Sequence, residues 1–323
     1  MKLNLISIAV LAALGASTSA NALDFAFDPT GSGNLVNTTA TTLDQAPGTA
    51  LAVNGTQAIN NFISGSGSTT FTLYYQANMS AVQDANSLNL FSNGTGGDFF
   101  TFVAGFGEKV VAASNVTNTA TFAFDASNPV NFFTMYATST IANNLTGTGF
   151  VSNTPILTGH VTDIPTSNYS VSNTTAVNLD QSPNGDQWSA QKSTTGAGAS
   201  DITVEVDMVD ANYFPDIDAL TQIVISFFNT SQINPFKQVD PSKCLNTATG
   251  TCETNTGIVS VGTVGALNGL ATGNNQTSGP NFIFQADANQ SFSASAVPEP
   301  GTLALLGLGL AALGLGGSRR RAS

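Results

Sequence analysis

Four aspartates fall close together, at Asp207, Asp210, Asp216 and Asp218, with Asn212 between them. Oxygen-rich stretches of this kind suit Ca²⁺, which takes roughly six to eight oxygen ligands. The spacing matches no EF-hand loop and Pro215 interrupts it, so solvated loop acids are the competing reading. The single histidine, His160, stands in the strand-like run Ile156–Val161 (ILTGHV), where an ordinary strand residue accounts for it. The body holds no G-x-S-x-G elbow, no P-loop and no H-E-x-x-H, so the usual nucleophile and metal arrangements are missing. Two acids could still meet in space as a glycosidase pair, but in a chain this acidic that possibility points nowhere. Tyr74, Tyr75, Tyr136, Tyr169, Tyr213 and Trp188 offer flat faces on which a pyranose ring can pack while Asn and Asp bind its hydroxyls. Trp188 stands out as a candidate glycan contact, because its surroundings, Asn184–Lys192, are polar and no core demands it there. These residues require no cofactor; Ca²⁺ at the aspartates is the one candidate.

Cys244 and Cys252 are the only cysteines. Two thiols and one distant histidine do not make a four-ligand zinc site, whereas a disulfide would close the short loop Leu245–Thr251 and stabilise it by about 2–3 kcal/mol. Between residues 23 and 297 there are four lysines, no arginine and 19 acids, so this body carries 4 − 19 = −15. Such a charge excludes nucleic acid, where phosphate neutralisation dominates affinity, and is repelled by anionic membrane surfaces.

The elements that must position these groups read as strands. Short β-branched and aromatic runs, separated by Gly, Asn, Ser and Pro clusters, recur at Thr70–Gln76, Phe99–Val103, Ala120–Asp125 and Val130–Ala137. They continue at Ile202–Val209, Gln222–Asn229, Gly257–Val264 and Asn281–Phe284. In Ile202–Val209, Ile202, Val204, Val206 and Met208 alternate with Thr203, Glu205 and Asp207, the pattern of one dry and one wet face. Helical periodicity is almost absent. The expectation is an all-β body, an antiparallel β-sandwich or jelly roll, with exposed loops at Ser182–Ala199 and Asn268–Gly279. One domain over 23–297 is expected; a boundary near residue 195 is the alternative.

Both ends carry addresses. Lys2, the apolar run Leu5–Leu14 and the small-x-small site Ala20-Asn21-Ala22 form a signal peptide over residues 1–22. It implies passage through the Sec translocon into a disulfide-permissive compartment. At the other end, Pro298-Glu299-Pro300 cannot enter a helix or a central strand, because both prolines lack an N–H and fix φ. An apolar run of 15 residues follows, Leu303–Gly317, then Arg319, Arg320 and Arg321. As a helix the run measures about 22 Å, against a hydrocarbon core of ~30 Å. That length suits a transient transmembrane anchor, with the arginines as a cytoplasmic stop and the body outside.

Residues 298–323 resemble the PEP-CTERM sorting signal of Gram-negative bacteria, since motif, spacer and Arg cluster occur in order at the terminus. The resemblance implies recognition by an exosortase, cleavage near Pro-Glu-Pro, and release or transfer of the body to the cell surface or extracellular matrix. Three body stretches resemble the flocculation-associated PEP-CTERM protein family (PepA). They are Val130–Val161, Ile225–Lys243 and Asn281–Ser291; Leu51–Gly55 and Phe71–Ala77 are compatible. This second resemblance implies a non-enzymatic protein that promotes floc and biofilm formation by retaining exopolysaccharide. A secreted polysaccharide-active enzyme and a surface protein that self-assembles through sheet edges are the alternatives.

Overall fold

The computed structural model describes residues 23–33, 37–142, 149–178, 192–217, 221–228 and 282–294. Both termini, and with them the signal peptide, its Ala20 and Ala22, the Pro298-Glu299-Pro300 motif, the apolar run and Arg319–Arg321, lie outside the described residues. So do Asp218, Trp188, Cys244, Cys252 and the strand expected at Gly257–Val264. Among the described residues no helix is long and apolar enough to cross a membrane.

Thirteen strands and one α-helix are described. A small hairpin pairs β1 (Phe25–Phe27) with β2 (Asn37–Ala40). The other strands form one sheet. In chain order they are β3 (Thr42–Gln45), β4 (Gly48–Val53), β5 (Thr70–Gln83), β6 (Asn89–Ser92), β7 (Phe99–Ser114) and β8 (Thr119–Phe124). Then come β9 (Phe132–Thr138), β10 (Pro155–Asn178), β11 (Lys192–Val209), β12 (Thr221–Phe228) and β13 (Phe282–Ala294). Strands and all-β class agree with the expectation, but the arrangement is not two open sheets. Pairing runs β4–β5–β7–β9–β10–β11–β12–β13 and returns from β13 to β4, which closes a circuit of eight strands.

Closure is possible because short strands share positions along long ones. β4 and β3 pair with successive parts of both β5 and β13. In the same way β9 and β8 share the space between β7 and β10. The alternative boundary near residue 195 falls inside β11, which pairs along its length with β10.

The inner faces are dry. Phe100, Phe102, Ala104 and Phe106 of β7 point inward at every second position, as do Leu73, Tyr75, Ala77 and Met79 of β5. Phe133, Val161, Ile202, Val204 and Ile225 meet them, leaving a void of only about 10 Å³. The interior is therefore a packed core and not a channel. One end is plugged by β1: Phe25 packs on Phe292 (ring centroids 4.7 Å apart), and Phe27 on Phe100 and Phe214, each at 5.2 Å.

Three local expectations change. Met208 continues the inward alternation on paper, yet its side chain is exposed. The register slips between Thr158–Met208 and Gly159–Val206, so Asp207 is an extra residue that reverses the faces beyond it. Val209 packs toward the core instead. Second, the loop expected at Ser182–Ala199 is strand from Lys192 onward; its Ser, Thr, Gly and Ala carry no alternation, and pairing with β10 supplies the order. Third, Gly55–Ser64 forms a helix, α1, entered through Asn54 at φ 65° and ended by Gly65 at φ 71°. The glycine end follows the usual left-handed cap.

Candidate functional site

The sequence candidates disperse. His160 Nδ1 meets Asp207 Oδ1 at 2.8 Å, and both side chains are exposed on the outer face of β10 and β11. An exposed pair of this kind contributes little. Asp210 shapes a turn: its Oδ1 accepts from the Asn212 amide at 2.9 Å, and its carbonyl accepts the amides of Tyr213 and Phe214 at 3.0 Å. Asp216 fastens the plug, because both its oxygens accept the Ala26 amide at 2.8 Å. The three described aspartates thus serve three separate partners. Among the described residues no group of three or more His, Cys, Asp and Glu side chains could share a metal ion.

The aromatic candidates also divide. Tyr75 is fully enclosed, and its hydroxyl donates to Gln45 Oε1 at 2.7 Å. Tyr74 and Tyr136 are buried under Ala142 and Phe150 on the outer face of β5, β7 and β9. Asn78 holds that cover by exchanging hydrogen bonds with the Ala142 backbone, and Thr101 donates to the Phe150 carbonyl at 2.8 Å. Tyr169 packs against the core. Tyr213 opens into a cleft.

That cleft, about 410 Å³, lies beside the aromatic plug. Pro29 and Tyr213 form one wall; Asp98, Phe99 and Phe100 form another; Thr138, Ser139, Ser152 and Thr154 supply hydroxyls. Local structure fixes each wall. The Asp210 turn sends Phe214 inward and Tyr213 outward, and the Tyr213 carbonyl accepts the Asp28 amide at 2.9 Å. Phe100 meets the Tyr213 ring edge-on at 6.0 Å and 83°. The hydroxyl end of the ring lies close to Gly31, where φ is +60° and a Cβ would come within 2.5 Å of it. Phe99 leans in the same manner on Gly94, φ +92°. Asn93 Oδ1 accepts the Phe100 amide at 2.8 Å, which anchors the start of β7. Ser152 Oγ donates to the Ala137 carbonyl at 2.7 Å and accepts the Thr154 amide at 3.1 Å, and Thr138 Oγ1 donates to the Thr140 carbonyl at 2.9 Å, which fixes both hydroxyls at the rim of the cleft.

Electrostatically the cleft is acidic. Burial first, then Asp210, Asp98 and Asp28, push the Tyr213 phenol above its ordinary value, so the ring presents a neutral hydroxyl. A shallow site combining half-buried aromatic rings, a carboxylate and several hydroxyls can stack on a sugar face and exchange hydrogen bonds with its hydroxyls. Asp98 and Phe99 were not among the sequence candidates. The turn-rich run Asn93–Asp98 (NGTGGD) ahead of an aromatic pair is the signal that could have found them.

Residues 296–321 match the model of the PEP-CTERM protein-sorting motif. The motif marks an exported chain processed by an exosortase and destined for the cell surface or the extracellular space. No curated protein and no solved structure matches the chain.

Proposed function

We propose that the protein is a non-catalytic matrix component that retains exopolysaccharide at the surface of a Gram-negative cell and so promotes floc and biofilm formation. Its route is Sec export, a transient inner-membrane anchor, and exosortase cleavage near Pro298-Glu299-Pro300. The observation that carries the reading is the open cleft in which Tyr213 and Phe99 present aromatic surface beside Asp98 and the hydroxyls of Thr138, Ser152 and Thr154. The resemblance of three body stretches to the flocculation-associated family supports it from the sequence side.

The test compares cells lacking the protein with cells producing the parent or a Tyr213→Ala variant. Settling and cell-bound polymer are measured, and the purified protein is assayed for binding to the isolated polymer. Loss of both settling and cell-bound polymer in the deletion, with weakened binding for the variant, is expected. Unchanged settling and polymer retention would refute the reading. Release of reducing ends from the polymer by purified protein would move it to the polysaccharide-active enzymes.

A further inference from the structure

The cleft beside Tyr213 is short of hydrogen-bond donors. Among its lining residues, the Gly97 and Asp98 amides donate to the Gly94 and Thr95 carbonyls, and the Ala137 amide donates to the Thr154 carbonyl. The Phe100 amide donates to Asn93 Oδ1 and the Thr154 amide to Ser152 Oγ. Ser152 and Thr138 spend their hydroxyl protons on the Ala137 and Thr140 carbonyls. The hydroxyls of Ser139, Thr154 and Tyr213 can turn either way. The fixed character of the lining is therefore accepting: the Asp98 carboxylate and the negative face of the Tyr213 ring.

No described cation balances this lining. The one ion pair among the described residues, His160 with Asp207, lies on the outer face of β10 and β11. Lys109 sits ten residues along β7 from Phe99, about 33 Å away. Lys192 begins β11, at the opposite end of that strand from Val209 and Asp210. Instead, three carboxylates from separate segments act on the Tyr213 phenol: Asp210, Asp98 and Asp28. Two of them are engaged by the chain itself. Asp28 Oδ1 accepts the Thr30 amide and hydroxyl, and Asp210 Oδ1 accepts the Asn212 amide. Of the three, Asp98 is the one that lines the cleft.

We infer that the cleft selects saccharides carrying a protonated amine, the amino sugars of a partly or wholly deacetylated polymer, and rejects those carrying uronate. An ammonium group is a pure donor, with three N–H bonds. It would pair with Asp98 in a charge-assisted hydrogen bond and lie against the Tyr213 ring, while the pyranose covers Phe99. A uronate carboxylate is a pure acceptor, and it would face Asp98 with few donors to receive it. The inference rests on the saccharide reading of the cleft and narrows it to one class of sugar.

The test is calorimetric titration of the purified protein, at mildly acidic pH and low salt, with three sets of short oligosaccharides. These are glucosamine oligomers with free amines, the same oligomers N-acetylated, and oligomers of galacturonic acid. The free-amine set should bind roughly tenfold tighter than the acetylated set, and the uronate set should bind most weakly. Added salt needs no variant: it should weaken binding of the first set and leave the second unchanged. Asp98→Asn keeps the shape of the side chain and should erase the preference for amines while retaining affinity for the acetylated set. Asp201→Asn removes the same charge from an exposed position on β11 and should change neither. That control separates the cleft from the general attraction of a cation to an acidic body. Equal binding of the first two sets, a preference for uronate, or equal effects of the two substitutions would overturn the inference. If Tyr213→Ala still abolishes binding in those cases, the saccharide reading stands without it. Absence of any binding that depends on Tyr213 would overturn both.

Discussion

Glu108 is a carboxylic acid inside the barrel. It follows Phe102, Ala104 and Phe106 on the inward row of β7, faces Phe71 of β5 in register, and is 3% exposed. Ser167 Oγ donates to its Oε1 at 2.8 Å. Burial outweighs that hydrogen bond and lifts its pKa from 4.5 to about 7. Between these values the folded protein holds a proton that the unfolded chain has released, so stability must fall as pH rises. The contribution is fully present below 4.5 and lost by the time pH passes about 7. At about 1.4 kcal/mol per pH unit, the loss amounts to roughly 3 kcal/mol. Glu108→Gln keeps the shape and an acceptor for Ser167 but cannot ionise. Urea unfolding followed by far-UV circular dichroism, at several pH values from 4 to about 8, would measure both proteins. They should nearly coincide at the acid end, and at the alkaline end the variant should be more stable by roughly 3 kcal/mol, or about 1 M in midpoint. Asp44 and Asp287, also lifted chiefly by burial, push the same way but are common to both proteins and cancel in the difference. A parent–variant difference that is flat with pH would refute the reasoning, because it would mean that the Glu108 carboxylate is hydrated in the folded state.

The plug and the cleft give further expectations. Phe27→Ala removes a ring packed on Phe91, Phe100 and Phe214 and should cost about 3–5 kcal/mol, read from the same urea midpoints. Asp216→Ala leaves the buried Ala26 amide without its acceptor and should cost about 1–3 kcal/mol, whereas Asp216→Asn, which restores an oxygen, should recover most of it. Gly31→Ala drives a Cβ into the Tyr213 ring at a backbone conformation that alanine disfavours. It should therefore weaken polymer binding more than it lowers the thermal midpoint, as checked by binding isotherms beside thermal melts.

The β character of the chain is legible residue by residue, because Ile202, Val204 and Val206 alternate and bury as a half-dry strand must. The failure at Met208 shows the limit of that logic: one extra residue inverts every face beyond it, and nothing in Asp207 itself announces a bulge. Closure is less legible still. β4 and β13 pair Ala52 with Phe282, a contact spanning most of the body, and no local pattern encodes a partner that far away. Helix α1 escapes notice because Gly55–Ser64 is short and polar, and its entry residue Asn54 makes no side-chain cap. At the candidate site, Tyr213 is recognisable as an aromatic residue in a polar stretch. Phe99 is not, since it reads as the first core residue of a strand. The aspartates illustrate the reverse error: proximity in sequence placed them together, and the folded chain gave Asp207, Asp210 and Asp216 different partners.

The return of β13 to β4 also sets an order of events. Until Phe282–Ala294 arrives, β4 and β12 each lack the neighbour that closes the circuit, so the folding chain is an open sheet with two adhesive edges. A contact this distant in sequence is slow to form. Before β13 arrives, the folding chain therefore passes through a half-assembled, aggregation-prone form. A chain truncated before Phe282 should never leave that form. The strand that ends the wait lies immediately ahead of the sorting motif in sequence, so completion of the barrel and exposure of the address are late events in the same short stretch of chain.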